Sequence, residues 1–149
     1  MADPFKLGRF VRAQQPLYAQ VLAELAAGRK RSHWMWFIFP QLEGLGHSAT
    51  ARAYAISTLA EARAYLEHPL LGARLLECTA VVNGLAGSTA GEIFGYPDDL
   101  KFRSSMTLFA CASSAAAANP FRDALLKYFA GAEDPRTREL LTSVCGTSE

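Results

Sequence analysis

Nearly every apolar-periodic stretch of this chain starts behind a capping residue or a proline and stops at a glycine or another proline. That punctuation limits it to a set of short helices. Asp3 followed by Pro4 reads as an N-cap with proline at the first helical position, opening a helix to about Gln14. Pro16 opens a second, with Leu17, Val21 and Leu25 on one stripe and Gly28 as its stop. Thr58 and Glu61 form a capping-box pair ahead of LAEARAYLEH, and Thr89 and Glu92 form another over a short helix ending at Gly95. After Pro69, the residues Leu71, Leu75, Cys78, Val82 and Leu85 step by four, three, four and three, an amphipathic helix. Pro97 and Asp98 open DLKFRSSMTLFACAS, in which Phe102, Met106 and Phe109 share a face. Asn119 and Pro120 open FRDALLKYFAG, stopped by Gly131, and Asp134 and Pro135 open the last helix.

Signals for a sheet are missing. No stretch of four or more residues alternates convincingly between apolar and polar, and there is no Asn-Gly or Asp-Gly hairpin turn. The expectation is a compact all-α single domain over residues 1–149, with about seven to nine short helices. ACASSAAAANP, residues 110 to 120, reads as a fraying helix end and linker, because Pro120 forbids continuation. A chain of 149 residues buries a real core without disulfide or metal staples.

The totals exclude several functions. A net charge of +1 offers no global attraction to nucleic acid or an anionic membrane, so no extended nucleic-acid groove is expected. Cys78, Cys111 and Cys145 are spaced by 33 and 34 residues, which fits no CxxC motif. They read as buried free thiols of a reducing compartment. MADPFKLGRF lacks the pattern of a signal peptide, and no apolar run approaches the roughly 20 residues needed to span a bilayer. A soluble cytoplasmic protein with no membrane partner is therefore expected.

The stretch RKRSHWMWFIFPQLEG, residues 29 to 44, runs three cations into six large apolar residues, with His33 between. Ser32 is a good N-cap and Pro40 halts a helix near Phe39, so about two turns are expected from His33 to Phe39. Met35, Phe37, Ile38 and Phe39 read as core, each stabilising the fold by roughly 1.5–3 kcal/mol when fully buried. His33, Trp34 and Trp36 admit two readings. One is a packed tryptophan pair under a solvated basic loop. The other is a pocket edge, with indoles to stack a planar ring and the cations Lys30 and Arg31, beside His33 and a helix N-terminus, to hold a phosphate or carboxylate.

KRSHWMWFIFPQLEGLGHS (30 to 48), YAISTLAEARAYLEHPLLGARL (54 to 75) and IFGYPDDLKFRSSMTLFA (93 to 110) together resemble a bacterial family, domain of unknown function 1810. The resemblance covers nearly the whole chain and implies a compact all-α single domain. It implies no established enzyme activity. Members often carry the label calpastatin, but an inhibitor of that kind is expected to be long, repeated and disordered. This chain is short, unrepeated and apolar.

In PDDLKFRSSMTLF, Lys101, Ser104, Ser105 and Leu108 fall on one helical face, and Asp99 and Arg103 are spaced for an i,i+4 pair. Either the serines face solvent under a capping aspartate, or Lys101 and Ser105 hold an oxyanion. No GxSxG elbow, HExxH pair or Walker loop is present; GLGHS at 44 to 48 reads as a turn with Ser48 as the next N-cap. His33, His47 and His68 are spaced by 14 and 21 residues, without a cysteine or carboxylate cluster, so no metal site and no cofactor are assigned. His68, before Pro69, reads as a structural cation at a helix end, and His47 as a neighbour that would join His33.

These pieces point to binding, and conceivably hydrolysis, of an anionic ring-bearing small molecule such as a nucleotide or ADP-ribose derivative. Arg31, Trp34, Trp36, Lys101 and Ser105 would bind it and His33 would be the acid or base. The alternative is a protein-interaction module or homodimer that uses the Trp-rich segment, residues 33 to 41.

Overall fold

The computed structural model describes residues 3–113 and 119–145, the last four of these by backbone alone. Ten helices occur among the described residues. They are α1 (Gly8–Gln14), α2 (Tyr18–Ala26), α3 (Met35–Ile38), α4 (Ala49–Ala53), α5 (Leu59–Glu67), α6 (Leu71–Gly84), α7 (Ala90–Phe94), α8 (Asp98–Ala112), α9 (Pro120–Phe129) and α10 (Pro135–Cys145). The all-α expectation holds. The count passes nine because Ser48 does cap a helix of its own, α4, by accepting the Ala51 N–H. Extended pairing among the described residues is confined to one isolated parallel bridge, Leu42 with Ile56. Residues 114 to 118 of the expected linker lie outside the described residues.

The caps explain most helix starts. Thr89 and Glu92 make the full reciprocal capping box. At α5 the box is half made: Thr58 accepts the Glu61 N–H, but the Glu61 carboxylate instead takes the Ser57 N–H and hydroxyl and Arg9. Asn119 accepts from Phe121 and Arg122, and Asp134 accepts from Thr137. Three local readings are corrected. Asp3 does not open a helix at Pro4; its carboxylate reaches ahead to the N–H groups of Leu7 and Gly8, so α1 begins at Gly8. Arg103 does not pair with Asp99, because its guanidinium donates to the carbonyls of Ala132 and Glu133 in the loop before α10. His68 does not serve the end of α5. Its Nδ1 accepts the N–H groups of Leu70 and Leu71, so its structural role lies at the start of α6.

Helix α8 is the axis of the molecule, packed against α3, α5, α7, α9 and α10, with α6 spanning α2, α5 and α9. Phe102, Met106 and Phe109 are wholly buried, as expected of their shared face. Rings tie the layers together. Phe39 meets Phe102 edge-on at 5.0 Å, Phe94 stacks on Phe102 at 4.5 Å, and Phe109 contacts Tyr65 and Phe121. Each such pair contributes about 0.5–1.5 kcal/mol beyond its buried area. Close approach at the α5–α6 corner requires Gly72, where a Cβ would fall 2.0 Å from the Leu66 carbonyl oxygen.

Of the cysteines, Cys78 is buried, and burial pushes its thiol up to about 12. Cys111 is half-buried and accepts from the Arg138 guanidinium at 2.8 Å. The Cys145 side chain lies outside the described residues. No helix among the described residues is long and apolar enough to cross a membrane.

Candidate functional site

The site grows from the loop that leaves α2. Gly28 turns the chain with φ +77°, and the next residues fold back over α2. What holds them there is Glu24. Its buried carboxylate accepts the N–H groups of Arg31 (2.8 Å) and Ser32 (3.1 Å), the Ser32 hydroxyl (2.7 Å), the Trp34 indole N–H (2.9 Å) and the Gln20 amide (2.9 Å). Burial alone would raise this carboxyl, but the hydrogen bonds from Arg31, Gln20, Ser32 and Trp34 outweigh it and bring it down to about 2.

This anchoring shortens the aromatic helix. Ser32 spends its hydroxyl on Glu24 and does not cap a helix, and Trp34 adopts φ −135°, so α3 is the single turn Met35–Ile38. The core expectation for Met35, Phe37, Ile38 and Phe39 holds, all four being buried. The two tryptophans part company. Trp34 is 0% exposed with its N–H committed to Glu24, which removes it from any ligand-stacking role. Trp36 is half-buried, at the surface.

A second carboxylate holds the same loop from the other side. The Lys30 N–H donates to the Ile93 carbonyl at 2.7 Å, and its ammonium reaches Asp98 Oδ2 at 2.8 Å. Lys101, one turn along α8, reaches Asp98 Oδ1 at 3.1 Å, and its Nζ lies 3.9 Å from the centre of the Trp36 ring. The Lys30 side chain is only 7% exposed and also faces the Trp34 ring at 5.1 Å. Burial pushes the Asp98 carboxyl up, but Lys30 and Lys101 prevail and hold it below the usual range. Among the described residues Asp98 is the one acceptor of both ammonium groups. Each ammonium carries three donors, so the two together have more N–H bonds than this carboxylate can take.

Arg31 and His33 are exposed on the loop beside Lys30, without a side-chain partner among the described residues. His47 is also exposed, and no contact joins it to His33. Ser105 is elsewhere. It is 0% exposed and its hydroxyl has no hydrogen-bond partner, so the one-turn spacing from Lys101 does not make an oxyanion pair. The physical reason is the central place of α8: past its first turn, both faces are covered. A shallow surface depression of about 20 Å³, room for about one water molecule, is lined by Trp36, Gln41, Glu43, Arg52 and Tyr54. Gly46 borders it, and a Cβ there would crowd Ala51 at 2.7 Å and meet the Trp36 rim at 3.5 Å. No group of three or more His, Cys, Asp or Glu side chains among the described residues is arranged to hold a metal ion.

The seam therefore unites Lys101, Trp36 and the loop that carries Arg31 and His33. Lys30 is one of the cations the sequence set at the pocket edge, whereas Asp98 read only as a cap. Their pairing across 68 positions leaves no local trace.

Residues 4–141 match the family described as "Protein of unknown function (DUF1810)", and the chain belongs to that family. Its fold is shared with a solved structure, the conserved hypothetical protein Rv1873 from Mycobacterium tuberculosis. The two are 59% identical with a TM-score of 0.91, over 94% of this chain and 99% of that one. No curated protein matches.

Proposed function

We infer that this member of the DUF1810 family binds an anionic, ring-bearing small molecule, a nucleotide or ADP-ribose derivative, at the Lys30–Asp98–Lys101 seam. One observation carries the reading. Two ammonium groups, one of them more than nine-tenths buried, share a single carboxylate. Asp98 matches the buried Lys30 ammonium, so the part-exposed Lys101 that shares it leaves one positive charge over, which an oxyanion would answer while taking up the unused N–H donors. Arg31 and His33 add donors from the exposed loop, and Trp36 sits against Lys101. In this reading His33 would be the acid or base if the bound molecule is turned over, as in hydrolysis of an N-glycosidic bond.

Burial of Trp34, Met35, Phe37, Ile38 and Phe39 supports this reading over an interaction module built on the same segment, since those side chains offer a partner no surface.

The test is a thermal-shift screen of the purified protein against nucleotides, NAD, ADP-ribose and simple phosphates. A ligand at 100 times its Kd stabilises the fold by about 2.7 kcal/mol, a shift of several degrees. The expected result is a hit that disappears in Lys101→Ala and His33→Ala while both variants stay folded. Undiminished binding by both would overturn it.

A further inference from the structure

The ring of such a ligand needs an aromatic face, and the faces near the ammonium groups are not equally free. Trp34 is enclosed. Lys101 occupies Trp36 at 3.9 Å, and the rim of that indole lies against Gly46. A ring landing on the Trp36 face that Lys101 covers would have to displace the very ammonium that is to hold its phosphate.

Tyr96 has neither obstacle. It is 82% exposed and has no hydrogen bond or ring contact among the described residues. Its position is nevertheless fixed on both sides by one residue. Lys30 grips Ile93 through its backbone N–H and Asp98 through its ammonium, and Tyr96 stands on the span between them. Two residues reach at most about 7 Å, so the Tyr96 Cα is within that distance of the Asp98 Cα. Gly95, with φ +77° and open space where a Cβ would be, turns the chain outward just before it.

We propose that Tyr96 is the ring-binding residue of the seam and that the ligand is a phosphate ester carrying an aromatic base. The phosphate lies on Lys30 and Lys101, and the base lies on the Tyr96 face. Lys101 then keeps its place on Trp36, which serves as the backing of the phosphate site. This rests on the anion-binding reading above, and the experiment separates the two.

The probes are AMP and ribose 5-phosphate, which share a phosphate and a sugar and differ by the base, titrated calorimetrically into the whole protein. Base stacking on an aromatic side chain corresponds to about tenfold or more in affinity. AMP is expected to bind the native protein at least that much tighter than ribose 5-phosphate. Tyr96→Ala is expected to remove the difference while leaving ribose 5-phosphate unchanged, and Tyr96→Phe to retain it. Because the side chain is exposed and unbonded, neither substitution threatens the fold. Equal binding of the two probes by the native protein overturns the proposal and leaves the anion reading standing. So does an AMP preference that survives Tyr96→Ala, which would return the ring to Trp36. Binding of neither probe sinks the anion reading itself, and this proposal with it.

Discussion

Two carboxylates hold the loop from Arg29 to Trp36, and they hold it in opposite ways. Glu24 is closed: its two oxygens take donors from Gln20, Arg31, Ser32 and Trp34 and are turned into the protein. Asp98 is open: two ammonium groups converge on it with donors to spare, and one of them rests on a partly exposed indole. A buried anion surrounded by neutral donors builds structure. A pair of cations with one anion between them leaves a charge for something else to answer. The lesson is that the count of donors against acceptors, more than burial, separates a carboxylate that only builds structure from one that could share in the proposed binding.

The largest effect should come from removing the closed carboxylate. Glu24→Ala strands the Trp34 indole N–H and the backbone N–H groups of Arg31 and Ser32, and should cost about 3–5 kcal/mol in urea unfolding. A loss under about 1 kcal/mol would mean that the loop is held by something else. Acid gives a milder version of the same break. The folded Glu24 carboxyl lies near 2 against an ordinary value of 4.5, so its contribution is complete above pH 4.5 and is lost as the pH falls toward 2. Stability curves from pH 5 to 2 should flatten over that window in Glu24→Gln.

The open carboxylate should behave differently. Asp98→Asn leaves Lys30 and Lys101 facing each other and should destabilise by about 1–2 kcal/mol in low salt. Added pyrophosphate should then restore more stability to the variant than it gives the native protein, because the anion replaces the missing charge. Equal responses would mean that Asp98 is as closed as Glu24. The smallest effect is at Ser105, whose buried hydroxyl has no partner. Ser105→Ala should leave stability within about 1 kcal/mol or raise it, and leave anion binding intact. A loss of binding would restore Ser105 to the site.

The helices were readable because capping is local. Ser48, Thr58, Thr89, Asn119 and Asp134 each bond an N–H two or three residues ahead. Reading failed where a cap reached further or was recruited from afar. Asp3 spans four and five residues to Leu7 and Gly8, and Ser32 gives up its capping role to Glu24 eight positions back. The site was legible in part. Lys101 does meet Trp36, and Arg31 and His33 are exposed on the loop that carries Lys30, whereas Trp34 and Ser105 belong to the core and Tyr96 carried no local signal.

By itself the sequence determined the helical class, most helix starts and the burial of the segment after His33, since periodicity, caps and hydrophobicity act over a few residues. The tertiary structure alone decided which of two tryptophans is sealed, which of two carboxylates is open, and that Lys30 and Lys101 share Asp98. Those outcomes depend on where α2 and α8 lie relative to one loop, and charge balance there is settled between residues that the chain keeps far apart.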